Sequence, residues 1–247
     1  MIKDSKYIRR ISRFGFHTFG TITGVFSTGF LMEFLGFSEE DRVAVIKRYL
    51  DNWGLNSLAD VDYKVSIDDK SVYNNGENFL FLSNHQSLLD VLTILATAPQ
   101  SIRFVAKKSI FKIPVFSHAM RYVGMFEIDR KNKKTAIETL EYATKKLKNG
   151  FNSIVMFPEG TRNREGNEPL LPFKKGAFYL AIEAGVSIIP VSITNSKNLL
   201  PVDTWKVEPG KIKIHYGKPI ETKGMTIKDI PKLMETVRAA ITENLDY

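Results

Sequence analysis

His85 stands five residues before Asp90 in the run Ser83-Asn84-His85-Gln86-Ser87-Leu88-Leu89-Asp90. A histidine oriented by a carboxylate can act as general base: a bond at one ring nitrogen fixes the tautomer and leaves the other free to take a proton. On a continuous helix this spacing would not bring the two side chains onto one face. It works if Ser87 is a helix N-cap, with Asp90 at N3 and the preceding chain folded back across the first turn. Ser87-x-x-Asp90 is also a capping-box pattern in its own right. The competing reading therefore makes Asp90 a cap and His85 an ordinary loop histidine. A second segment is Pro158-Glu159-Gly160-Thr161-Arg162. Gly160 permits close backbone approach, Thr161 offers a hydroxyl, and Arg162 offers a planar fork suited to phosphate oxygens. The plainer alternative is a turn with Arg162 on a solvated face.

Other chemistries lack their residues. The chain has no cysteine, which removes disulfides, thiolate metal sites and a cysteine nucleophile. No His-x-x-x-His or His-Glu-x-x-His pairing occurs, and no Gly-x-Ser-x-Gly elbow. No metal and no cofactor are therefore expected. His17, His118 and His215 have no acid at short spacing and are read as packing or surface residues.

Both segments end apolar runs. Strand-like runs are Tyr63–Ile67, Phe79–Ser83, Ile102–Ala106, Met125–Ile128, Ser153–Phe157, Ser187–Ile193 and Lys211–His215. Helical patterns fall between several of them. The clearest is Lys133–Lys148, with Lys145, Lys146 and Lys148 in its last turn and Gly150 just beyond. A final helix runs from an N-cap at Asp229 to about Asn244. This alternation predicts an α/β domain over residues 61–247, with a mostly parallel, mixed sheet flanked by helices. His85 and Glu159 then lie at carboxyl ends of strands, where open α/β sheets bind ligands.

Residues 1–60 read as a separate helical hairpin. Residues 14–32 carry no Asp, Glu, Lys or Arg and follow a basic leader with Lys3, Lys6, Arg9, Arg10 and Arg13. A crossing helix needs about 20 mostly apolar residues. This stretch is instead interrupted by Gly and Thr, and Phe19, Ile22, Phe26, Phe30 and Phe34 recur at spacings of three and four. One apolar stripe beside basic residues predicts a helix lying in the interface of an anionic membrane, with Gly and Thr on its other side. Ser38, three residues before Asp41, begins a second helix whose apolar side is Val43, Ile46, Tyr49 and Leu50. The alternative is that the Phe stripe packs on the main domain. The expected location is the cytoplasmic face of the cell membrane, on the surface rather than across it.

Four ordered motifs resemble those of the glycerolipid acyltransferases. They are Asn84-His85-x-x-x-x-Asp90, Gly124-x-x-x-Ile128-Asp129-Arg130, Phe157-Pro158-Glu159-Gly160-Thr161-Arg162 and Ile189-Pro190-Val191. The wording is most similar to the 1-acylglycerol-3-phosphate acyltransferase branch, to which Lys107-Lys108 and Phe173-Lys174-Lys175-Gly176 also correspond. One departure is Glu127, where the family usually has Phe; here Phe126 precedes it. The resemblance spans roughly residues 79–193 and implies transfer of a fatty acyl chain from acyl-carrier protein or acyl-CoA to the free sn-2 hydroxyl of lysophosphatidic acid. It implies His85 as base, Asp90 as its orienting acid, and Arg130, Arg162 and Lys107 as ligands of the acceptor phosphate. Glu159, Gly160 and Thr161 would contact substrate. Backbone amides near Gly160 or after Gln86 would receive the oxyanion. The alternative acceptor is glycerol 3-phosphate or another lysophospholipid.

The net charge is +8 at pH 7, which favours acidic partners. A nucleic-acid partner is not expected. No binding motif for one is present, and the aromatics gather in the N-terminal stripe instead of interleaving with Lys and Arg.

Overall fold

Apolar residues on both sides of each central strand require a sheet covered on both faces, and the chain builds one. The computed structural model describes residues 5–68, 77–149, 153–164, 168–202, 204 and 207–245, the side chains of residues 40 and 43 excepted. Lys3, Gly150 and the side chain of Val43, used in the sequence reading, lie outside the described residues.

The strands are β1 (Tyr63–Asp68), β2 (Leu80–Ser83), β3 (Ile102–Lys107), β4 (Phe126–Ile128), β5 (Ser153–Met156), β6 (Ile188–Thr194) and β7 (Gly210–Tyr216). The helices are α1 (Ser5–Phe34), α2 (Glu39–Asp60), α3 (Leu89–Thr97), α4 (Phe116–Tyr122), α5 (Lys133–Lys148), α6 (Gly176–Ala184), α7 (Ser196–Leu199) and α8 (Ile230–Glu243). Every strand run read from the sequence is recovered to within a residue or so at each end.

The sheet runs β1-β7-β6-β2-β5-β3-β4, with every neighbouring pair parallel except β6–β7. At its centre Phe79 and Phe81 enter one core with α1 to α4, while Leu80 and Leu82 enter the other with α5, α6 and α8. Strands β2, β5, β3 and β4 are mutually parallel, so their carboxyl ends form one edge.

Helices α1 and α2 form an antiparallel hairpin. Arg10 Nε donates to Asp62 Oδ2 at 2.8 Å, Trp53 Nε1 to Thr18 Oγ1 at 3.1 Å, and Thr28 and Tyr49 share a hydroxyl bond of 3.0 Å. Ser38 caps α2 by accepting from the Asp41 amide at 3.1 Å. Two glycines of α1 lie at close helix contacts. A Cβ on Gly24 would meet the Tyr49 ring at 2.7 Å, and one on Gly29 would meet the Tyr122 ring at 2.5 Å. These two glycines are thus packing positions where α2 and α4 come close.

The Phe stripe is divided in the same way. Ile22 packs on the core, and the Phe26 ring lies against Tyr122 and His118. Phe19, Phe30 and Phe34 point outward at 69%, 57% and 79% exposure, joined by Phe16 at 74%. Among the described residues no helix is long and apolar enough to cross a membrane.

Candidate active site

The edge at the carboxyl ends of β2, β5, β3 and β4 gathers the residues singled out above. Strand β2 ends at Ser83, and the fully buried Asn84 follows. Its Nδ2 donates to the Ile193 carbonyl and its Oδ1 accepts from the Ile193 amide, both at 2.8 Å. The side chain thereby extends the β2–β6 ladder by one step while the backbone turns away, which sets His85 beyond the edge of the sheet.

Asp90 is fully buried at the start of α3. Its Oδ2 accepts from His85 Nδ1 at 2.9 Å, from the Gln86 amide at 2.6 Å and from the Ser87 amide at 2.8 Å. A carboxylate can only accept, so Nδ1 carries the ring proton and Nε2 is left with its lone pair. The two readings of Asp90 are therefore compatible: one oxygen caps the helix and holds the imidazole. The other, Oδ1, has no hydrogen-bond partner among the described residues. Ser87 Oγ accepts from the Leu89 amide at 3.3 Å and donates to the Leu200 carbonyl at 2.7 Å.

Glu159 is buried, with both oxygens occupied. Oε1 accepts from the His85 amide and Oε2 from the Leu171 amide, each at 2.8 Å. Burial raises its carboxyl to about 7, against the pull of the Leu171 and His85 amides; the Asp90 charge adds to the rise and Arg238 opposes it. This carboxylate ties loops together. The His85 carbonyl in turn accepts from the Asn163 amide at 2.8 Å. Residues 84–86 are thus gripped from 159 and 163, a clamp the sequence spacing gives no sign of.

Gly160 has φ of +73°, a left-handed turn that disfavours any side chain. Its amide donates to the Phe157 carbonyl at 3.0 Å, and its carbonyl accepts from Arg130 Nη1. The amides of Gln86, Ser87 and Gly160 are therefore all engaged inside the protein, so of the oxyanion candidates those of Ser87 and Gly160 already have acceptors. Thr161 is exposed. Arg162 is half-buried and has no ion-pair partner among the described residues. Lys107 ends β3 and is exposed; beside it Lys108 pairs with Asp129 at 3.1 Å, tying the ends of β3 and β4. Lys107 at the end of β3, with Arg130 and Arg162 from the loops after β4 and β5, thus lies on the same edge as His85. In the departing motif, Phe126 is buried in the second core while Glu127 pairs outward with Arg121 at 3.1 Å.

One neighbour of His85 was not singled out from sequence. The Phe157 ring lies parallel to the imidazole, with centroids 3.9 Å apart and planes 15° apart. Two of the remaining histidines also have carboxylate partners, from far along the chain. His17 Nδ1 contacts Asp60, and His215 Nδ1 lies 3.3 Å from Asp68. Neither lies on the cationic edge. Among the described residues no group of His, Asp and Glu gathers as a metal site.

Comparison with known proteins agrees with the layout. A family model for acyltransferases matches residues 64–194. A 1-acyl-sn-glycerol-3-phosphate acyltransferase of Haemophilus influenzae is 32% identical over 206 residues, covering 83% of this chain and 82% of that one. An uncharacterized acyltransferase of Schizosaccharomyces pombe is 30% identical over 234 residues, 94% of this chain and 82% of the other. The crystal structure of the 1-acyl-sn-glycerophosphate acyltransferase of Thermotoga maritima superposes with a TM-score of 0.75 at 28% identity, covering 96% of this chain and 97% of that one.

Proposed function

This chain belongs to the acyltransferase family, and on that premise we propose that it acylates the free sn-2 hydroxyl of 1-acyl-glycerol 3-phosphate, giving phosphatidic acid. The observation that carries the reading is a His85 held by a buried carboxylate on a strand edge that also bears Lys107, Arg130 and Arg162. His85 Nε2 takes the proton of the acceptor hydroxyl as its oxygen attacks the thioester carbonyl. The tetrahedral adduct collapses, the carbon–sulfur bond breaks, and the thiolate takes the proton back from Nε2. Asp90 holds the ring and offsets the charge on the imidazolium between those two transfers. Arg162, with the rest of the Arg130 fork and Lys107, receives the acceptor phosphate. Glu159, buried, acts on His85 through the backbone; Gly160 and Thr161 line the turn beside it. The donor is a thioester of acyl-carrier protein or coenzyme A.

Residues 1–60 hold this edge against an anionic bilayer at the cytoplasmic face of the cell membrane. Phe16, Phe19, Phe30 and Phe34 are the exposed apolar contacts, with Arg9 and Arg13 meeting lipid headgroups at about 1 kcal/mol per charge. Arg10 is spent on Asp62, and Ile22 and Phe26 are spent on the domain.

An acceptor panel with one acyl donor tests the chemistry. The 1-acyl-glycerol 3-phosphate should be the preferred acceptor, with glycerol 3-phosphate and lysophosphatidylcholine far behind. Equal use of an acceptor without an anionic phosphate terminus would remove any purpose for the cationic edge. For the membrane, Phe19→Ser with Phe30→Ser should release the protein from anionic vesicles while sparing turnover of a short-chain dispersed acceptor. Unchanged vesicle binding would refute the interfacial helix.

A further inference from the structure

We propose that Phe157 is a positioning residue of the transfer, whose ring holds the His85 imidazole flat and stabilises the imidazolium that forms when His85 takes the acceptor proton. The inference rests on the reading of His85 as general base. Asp90 fixes one edge of the imidazole and Phe157 covers one face, with centroids 3.9 Å and planes 15° apart. Phe157 is itself backed by the buried Phe104, with centroids 6.1 Å and planes 23° apart. Its backbone is fixed by the turn that closes on the Gly160 amide, and two residues on, Glu159 holds the His85 amide. Residues 157 and 159 therefore grip the same histidine, one by its ring face and one by its main chain.

What sets this contact apart from ordinary packing is that one of its rings is the proposed base. Two neutral aromatic rings favour offset or edge-to-face arrangements, because face-on overlap brings like quadrupole faces together. A centroid separation of 3.9 Å at 15° is an offset stack in which the two π faces still overlap. Protonation of the imidazole adds a cation–π attraction to that stack. The ring becomes a cation only after it has accepted the proton. The contact is thus stronger in the transition state than before it, which is the property that accelerates a chemical step.

The test replaces Phe157 with 4-fluoro-, 3,5-difluoro- and 3,4,5-trifluorophenylalanine, nearly the same shape but progressively poorer in ring electron density. Single-turnover acyl transfer to 1-acyl-glycerol 3-phosphate is measured in each, beside Phe157→Leu and His85→Ala. The expected result is a stepwise fall reaching roughly tenfold for the trifluoro ring, with melting temperature and acceptor KM unchanged. Phe157→Leu should lose at least as much. A flat fluorine series with His85→Ala inactive would overturn the role of Phe157 and leave the base reading standing. Normal turnover by His85→Ala would remove both. A purely structural ring would not follow the fluorine count, so the series decides even if Phe157→Leu folds poorly.

Discussion

Two histidines in this chain touch a buried aspartate, and only one of them has the makings of a catalyst. His85 meets Asp90 and His17 meets Asp60 through the same atoms, Nδ1 and Oδ2. Asp60 lies at the end of α2, and its histidine comes from the middle of α1, 41% exposed; the pair joins two helices. Asp90 also accepts two backbone amides, its histidine is 17% exposed and stacked on Phe157, and cations from three neighbouring strand ends share its edge of the sheet. A His–Asp contact is thus not a site. The proposed site differs in that its acid, its stacked ring and the cations share one edge of the sheet.

Exchanging the same mutations between the pairs sharpens the contrast. His85→Ala should cost at least ~10² in kcat with little change in melting temperature. His17→Ala should leave kcat alone and lower stability by about 1 kcal/mol or less, as for a partly exposed pair. Comparable rate losses in both would erase the distinction. The acids come next. In Asp90→Asn the amide oxygen can still accept from Gln86 and Ser87, so the cap survives while the charge that supports the imidazolium is lost. We expect tens-fold slower turnover with stability nearly kept, whereas Asp60→Asn should change unfolding and not rate. If Asp90→Asn mainly lowers the melting temperature, Asp90 is only a cap.

Smaller effects follow for the edge. Arg162→Ala should raise the acceptor KM roughly tenfold, the worth of a hydrogen bond between charged groups, and the donor KM much less. An equal rise in both would detach Arg162 from the phosphate. The smallest effect belongs to Glu159. Its carboxyl is raised from 4.5 to about 7 in the folded chain, so between those values the folded state binds more protons than the unfolded one. Stability from this group is then greatest in acid and falls as pH rises through that window. Denaturant unfolding should show a decline from about pH 5 to about pH 7 that Glu159→Gln lacks. Parallel curves for the two proteins would contradict it.

The fold was legible because its signals are local. Short apolar runs marked the seven described strands, and the Lys-rich last turn marked the carboxyl end of the helix Lys133–Lys148. The His85–Asp90 contact was legible too, since five residues and a cap suffice to argue it. What escaped the sequence joins distant segments: Glu159 to the His85 amide across 74 residues, Asn84 to Ile193 across 109, and Phe157 onto the imidazole. Spacing cannot report such pairs. The ring contacts of Gly24 and Gly29 escaped it too, because a glycine that admits a neighbouring ring looks like any other in sequence.

The central claim is direct transfer to the acceptor hydroxyl with His85 as base. The most direct measurement incubates the protein with an acyl-labelled thioester donor, first alone and then with 1-acyl-glycerol 3-phosphate. No label should remain on the protein in the first stage. In the second it should appear at the sn-2 position of phosphatidic acid with the wild type, and at least ~10² more slowly with His85→Ala. Label bound covalently to the chain before acceptor is added, or undiminished transfer by His85→Ala, would contradict the account.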